Sequence, residues 1–154
     1  IYKQERVGLH NQTFRMYKFR SMEIQKESEE KKAWTVKNDP RVTGIGKFMR
    51  RTSIDELPQF WNVLKGDMSI VGPRPERAWF VQQILEKTPD YKRIFNLKPG
   101  ITSLGMVKFG YANTIEKMIE RSRYDLYYLE HYSFWLDVKI LLATVREVWI
   151  GKGI

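Results

Sequence analysis

The chain has 154 residues, enough for one domain with one core, and its content of 42% hydrophobic and 14% aromatic residues excludes a disordered polymer. Cysteine is absent, which excludes a disulfide scaffold and any thiolate-ligated metal site. The formal charge is +9, and residues 1–52 hold 13 Lys/Arg against 6 Asp/Glu, so +7 of it lies in the first third.

Residues 4–7 and 13–20 read as two short strands joined by the turn-rich Gly8-Leu9-His10-Asn11-Gln12, a hairpin. Residues 23–38 are mostly charged and polar and read as an exposed excursion or a solvated helix. Asp39-Pro40 marks a boundary, because the residue before proline is pushed out of helical geometry. A short basic helix is expected from about Thr43 to Arg51. Ser53 stands three residues before Glu56, the spacing of a capping box, so a further helix is expected to begin at 54–57. It would run to Lys65, where Gly66 stops it. Gly72-Pro73-Arg74-Pro75 must be extended. A helix from Glu76 to about Lys87, a turn at Pro99-Gly100, and two long helices over 114–131 and 134–150 complete the pattern.

The last of these is amphipathic. At 100° per residue, Phe134, Val138, Leu141, Leu142, Val145, Val148 and Trp149 share one stripe, with Lys139, Arg146 and Glu147 opposite. Burial against the core is the first reading of that stripe; a helix lying in a membrane interface is the second. The aromatic cluster of Tyr124, Tyr127 and Tyr128 around Asp125 reads as core. No run reaches the roughly 20 apolar residues that a spanning helix needs.

Two places carry candidate chemistry. A carboxylate at a helix start feels the positive end of the dipole and free N–H groups, which favours the ionised form that a nucleophile requires. Asp55 and Glu56 fall there, with Arg50 and Arg51 just upstream to neutralise phosphate, although acidic residues in a first turn are also ordinary capping. Arg74 between Pro73 and Pro75 is the second: a guanidinium forks onto phosphate oxygens, and flanking prolines reduce the entropy lost in aiming it. A rigid turn with a solvent-facing arginine would look the same. His10 and His131 are isolated, and no phosphate-binding glycine loop or nucleophile elbow is present.

Together these segments resemble the bacterial sugar transferases, the polyprenyl-phosphate phosphoglycosyl transferases. The resemblance is carried by Tyr17-Lys18-Phe19-Arg20-Ser21-Met22, by Asp39-Pro40-Arg41-Val42-Thr43, and by the block from Lys47 to Gln59 around Asp55-Glu56-Leu57-Pro58. Trp61 to Arg77, including Gly72-Pro73-Arg74-Pro75, Lys98-Pro99-Gly100-Ile101-Thr102 and Tyr124-Asp125-Leu126-Tyr127-Tyr128 follow in the family's order. The chain departs after Thr102, where Ser103-Leu104-Gly105-Met106-Val107-Lys108 replaces a Gly followed by an Ala-Gln-Val-Asn-Gly-like stretch. The family's hydrophobic N-terminal segment is not in this sequence, which is expected to start just after it.

The resemblance implies transfer of a sugar 1-phosphate from a nucleotide diphosphate sugar, expected to be a UDP-sugar, to polyprenyl phosphate. Asp55 would be the nucleophile, forming an aspartyl-phosphosugar, with Glu56 its partner on Mg²⁺. Arg50, Pro73, Arg74, Pro75 and Lys18 would position phosphate and nucleotide. The expected setting is the cytoplasmic face of the inner membrane, with an anionic membrane surface as partner and no nucleic acid. A basic nucleic-acid-binding module, or a membrane-docking module without catalysis, is the alternative. The expected fold is α+β: residues 1–154 as one mostly helical domain with a small N-terminal hairpin.

Overall fold

The computed structural model describes residues 1–23 and 39–150. Strands β1 (Tyr2–Val7) and β2 (Thr13–Lys18) form the expected antiparallel hairpin, with Tyr2 opposite Lys18 and Val7 opposite Thr13. Its loop holds a short 3₁₀ turn, Leu9–Asn11, in which His10 and Asn11 take positive φ. The second strand ends at Lys18, two residues earlier than expected, because the Phe19 N–H leaves the ladder and donates to the Asp55 carbonyl at 2.9 Å. The solvated excursion expected over 23–38 lies, apart from Glu23, outside the described residues. Its two ends are joined: Met22 bridges Val42, the Glu23 N–H donates to the Arg41 carbonyl at 2.9 Å, and Thr43 N–H to the Ser21 carbonyl at 3.1 Å.

Helix α1 (Gly44–Arg51) forms where expected, capped by the Thr43 hydroxyl, which accepts from the Gly46 N–H. The continuous helix expected from 54–57 to Lys65 does not form. Ser53 is left-handed, with φ 55°, and its hydroxyl makes no capping bond, so the capping box is not realised. A 3₁₀ turn, Ile54–Glu56, follows, and α2 (Gln59–Leu64) begins only after Pro58. Pro58 has no N–H to donate back along a helix, and Leu57 N–H bonds Ile54 three residues earlier, so the chain tightens there.

Pro99-Gly100 is not a free turn. Gly100–Thr102 forms strand β4, parallel to β3 (Ser69–Val71), with Ser69 opposite Gly100 and Val71 opposite Thr102. Three-residue strands are too short to show alternation. Their crossing is close: a Cβ on Gly100 would stand 2.2 Å from the Gly72 nitrogen, and one on Gly72 2.3 Å from the Lys98 carbonyl oxygen. Helix α3 spans Ala78–Lys87 instead of starting at Glu76, whose side chain is drawn into a buried ion-pair network and whose carbonyl accepts from Val7 N–H. A 3₁₀ stretch Pro89–Asn96 and helix α4 (Leu104–Lys108) were not visible in the sequence. Helices α5 (Ile115–His131) and α6 (Phe134–Trp149) are the two long ones expected.

Two apolar cores hold the fold. Val7, Phe80, Val81, Ile84, Tyr91 and Ile94 join β1, α3 and the 3₁₀ stretch, and Met118 brings in α5. Val71, Leu104, Tyr128 and Ile140 join β3, α4, α5 and α6. The whole is the α+β, mostly helical fold with an N-terminal hairpin that the sequence implied.

The stripe on α6 overturns its first reading. Ile140 is the buried residue of that helix, whereas Leu142, Val145 and Trp149 are 67%, 62% and 89% exposed. Ile140 lies on the side of the helix nearly opposite the stripe, so packing to the core turns the stripe outward. Tyr124 and Tyr127 are also exposed; of the tyrosine cluster, only Tyr128 is core, its hydroxyl donating to Asp137 Oδ1 at 2.6 Å.

Candidate active site

The hairpin delivers Lys18 from the end of β2, and the backbone bond from Phe19 to Asp55 fixes the 3₁₀ turn against it. Lys18 Nζ lies 2.5 Å from Glu56 Oε1, with both side chains mostly buried. Burial alone would raise the Glu56 carboxyl, but Lys18 and Arg74 overcome it and hold Glu56 below the usual carboxylate range. Gln59 adds a further hydrogen bond to the same group.

Its neighbour behaves oppositely. Asp55 is buried and forms no ion pair among the described residues. Burial raises its carboxyl above the ordinary value; Lys18 and Arg50 pull it back only in part, and Glu56 pushes it further up. The expectation that a helix start would favour ionised Asp55 is thus corrected, because the turn is a single 3₁₀ turn with little dipole and desolvation wins. Two adjacent carboxylates are driven apart, one committed to the charged form and one held less favourably charged.

Arg50 Nε donates to the Ser21 hydroxyl at 2.9 Å, which anchors the guanidinium beside the dyad. The Gly72–Pro75 segment is extended as expected. Pro73 is fully buried, with its carbonyl accepting from Gly100 N–H at 2.9 Å, and the Pro75 carbonyl accepts from Arg6 Nη1 at 3.0 Å. The half-buried Arg74 between them is near enough to Glu56 to lower its carboxyl. Lys18, Arg50, Asp55, Glu56 and Arg74 therefore belong to one constellation, and Pro73 and Pro75 form its frame.

The sequence reading missed the scaffold behind Arg74. Asp125 Oδ1 accepts Gly105 N–H at 2.8 Å and Oδ2 accepts Arg74 N–H at 3.5 Å. Burial pushes Asp125 up to about 6, against the pull of the Gly105 bond and of Arg121. Glu76, next along from Pro75, pairs with buried Arg121 and lies 3.6 Å from Arg6 Nη1. Burial lowers Arg6 to about 10, which leaves it charged at neutral pH. The available signal was a single carboxylate set among tyrosines in an otherwise amphipathic helix.

No group of three or more acidic or histidine side chains suited to a metal occurs among the described residues. A dication would rest on Glu56, beside Asp55, and on oxygens brought by a substrate. That sparse donor set fits Mg²⁺, which is commonly held by one or two carboxylates plus phosphates and water. It does not fit a metal that needs a full protein cage. No helix of the described residues is long and apolar enough to cross a membrane.

Comparison with known proteins places the whole chain in one family. The family model described as bacterial sugar transferase matches residues 1–151. The chain is 43% identical over 153 residues to the UDP-N-acetylgalactosamine-undecaprenyl-phosphate N-acetylgalactosaminephosphotransferase of Aeromonas hydrophila, covering 99% of this chain and 36% of that protein. It is 44% identical over 155 residues to the UDP-glucose:undecaprenyl-phosphate glucose-1-phosphate transferase of Klebsiella pneumoniae, covering 99% of this chain and 33% of the relative. The uncharacterized sugar transferase EpsL of Bacillus subtilis (strain 168) is 42% identical over 154 residues, covering 100% of this chain and 72% of EpsL. The chain thus spans about a third of the length of the first two relatives.

Proposed function

Because the chain belongs to the bacterial sugar transferase family, we infer that it transfers a sugar 1-phosphate from a UDP-sugar to a polyprenyl phosphate and so starts a lipid-linked glycan. The observation that carries this reading is the division of labour in the dyad: Glu56 is paired to Lys18 at 2.5 Å, whereas Asp55 beside it has no ion-pair partner among the described residues. Relatives that share this sequence are named for undecaprenyl phosphate and for UDP-sugars with different sugars, so they support the reaction class and not a particular sugar.

An Asp55 oxygen attacks the sugar-linked phosphorus, and the bond to the nucleoside monophosphate breaks. The acceptor's phosphate oxygen then attacks the same phosphorus, the bond to Asp55 breaks, and the carboxylate returns. Arg50, held by Ser21, and Arg74, held between Pro73 and Pro75, face the charge on the leaving phosphate. Mg²⁺ resting on Glu56 would offset the repulsion between a carboxylate and a diphosphate. Partial burial of Asp55 leaves it poorly solvated, which makes a carboxylate a better nucleophile than in water.

The working surface is an anionic bilayer on the cytoplasmic side. Exposed Phe134, Trp135, Leu142, Val145 and Trp149 on α6 supply apolar and aromatic contact, and the +7 balance of residues 1–52 supplies attraction to headgroups. The deciding experiment incubates the chain with a panel of UDP-sugars, Mg²⁺ and polyprenyl phosphate in vesicles, and follows UMP release and lipid-linked product. UMP release that requires Asp55 supports the reading. Absence of both products with every donor, at full occupancy of the vesicles, contradicts it.

A further inference from the structure

A cleft of about 550 Å³ opens between α4, α5 and α6. Its walls are hydrocarbon, chiefly Leu104, Leu136 and Ile140, and Lys108, Arg123 and Lys139 stand on its lining from three different helices. None of these three cations pairs with a carboxylate among the described residues. Three exposed, unpaired cations converging on an apolar cleft form an unusual combination. A purely apolar ligand leaves the charges unused, and a free phosphate leaves the walls unused. Charge complementarity together with the walls selects an amphiphile with an anionic head and a hydrocarbon tail.

The cleft is separate from the reacting centre. On α5, Asp125 turns toward Arg74 and Gly105, whereas Arg123 and Tyr127 are about 160° away from it at 100° per residue, on the opposite face. The lining of the cleft includes none of Lys18, Arg50, Asp55, Glu56 and Arg74, so its occupant is held by other residues than the reacting phosphate. Tyr124 and Tyr127 at the cleft, and exposed Trp135 next to Leu136, suit a headgroup-level position.

We propose that this cleft binds one anionic glycerophospholipid of the bilayer, its phosphate between Lys108, Arg123 and Lys139 and part of one acyl chain between α4 and α6. The site extends the membrane docking described above and can fail independently of it, since a single lipid can be tested without a bilayer. Native mass spectrometry of the chain released from micelles doped with phosphatidylglycerol or phosphatidylcholine gives the first reading. One retained phosphatidylglycerol is expected, with much less phosphatidylcholine. Arg123→Gln and Lys139→Gln should each weaken retention about fivefold, the effect of one cation near an anionic headgroup. Ala143→Trp, which fills the cleft, should abolish retention while vesicle sedimentation persists through the outward face of α6. A photoreactive acyl chain on phosphatidylglycerol should label the peptides of Leu104 and Tyr127. Equal retention of the two lipids would overturn the proposal, as would labelling confined to Leu142 and Trp149. So would displacement by polyprenyl phosphate with productive turnover, or a dimer that closes the cleft. If Ala143→Trp does not fold, the two glutamine variants at exposed positions decide the question.

Discussion

Lys18 Nζ sits 2.5 Å from Glu56 Oε1, and that contact, with Arg74 nearby, holds Glu56 in its charged form despite burial. Lys18→Met leaves Glu56 buried without its nearest cation, so its carboxyl rises and the acid limb of the pH–rate profile for UMP release moves to higher pH. The fold should lose on the order of 1–3 kcal/mol, less than for a fully buried pair because both groups keep some contact with water. An unchanged acid limb in a folded variant would separate Lys18 from the site.

Asp55→Asn should abolish transfer and leave the fold at least as stable as before. The folded carboxyl is raised by burial, so ionised Asp55 costs stability at neutral pH and the amide removes that cost. The variant's advantage in thermal melts should be complete above the raised folded value. It should vanish as pH falls below the ordinary aspartate value, where the native side chain is neutral too. Near-normal turnover would remove the covalent route.

Arg74→Lys should raise the donor KM and lower kcat/KM by about tenfold or more while leaving the melting temperature nearly unchanged. Lysine keeps the charge and the backbone N–H that Asp125 accepts, but it loses the planar two-point fork. Steady-state kinetics against UDP-sugar checks this.

Asp125→Ala strips the partner from two N–H groups, at Gly105 and Arg74, and should cost on the order of 2–4 kcal/mol. A pH series on Asp125→Asn isolates its titration. Because burial lifts Asp125 from 3.8 to about 6, the native chain binds a proton that the unfolded chain has lost, and its stability falls as pH rises across that window. The asparagine variant should lack that slope in chemical denaturation from pH 4 to 6.

Val145→Asp should spare the fold, since Val145 is 62% exposed, and should release the chain from anionic vesicles. Circular dichroism and vesicle sedimentation on the same sample read both. Loss of the helical signal would mean the stripe is core after all.

The constellation was legible because its parts carry local rules: proline on both sides of Arg74, and a carboxylate pair after a basic helix. What the sequence hid were consequences of tertiary contact. Phe19 leaves its strand to bond Asp55, Ser53 turns left-handed and forfeits its cap, and β3 and β4 are three residues each, too brief for periodicity. The outward face of α6 misled for another reason. An amphipathic pattern reports that one side differs from the other but not which apolar surface lies against it, and here the core took Ile140 from the far side.

The joined ends of the segment between Glu23 and Arg41 have an architectural effect. Ser21, Met22 and Glu23 lock to Thr43, Val42 and Arg41, and Asp39 grips the Arg41 guanidinium from Oδ1 at 2.7 Å. The chain enters and leaves this stretch at one clasp, and Ser21 in the clasp also holds Arg50. The entropy of closing a loop at such a clasp grows only logarithmically with the number of residues between its two sides. Arg50 is thereby tied to the register of the clasp, and a slip of Ser21 against Thr43 would carry this guanidinium away from Asp55.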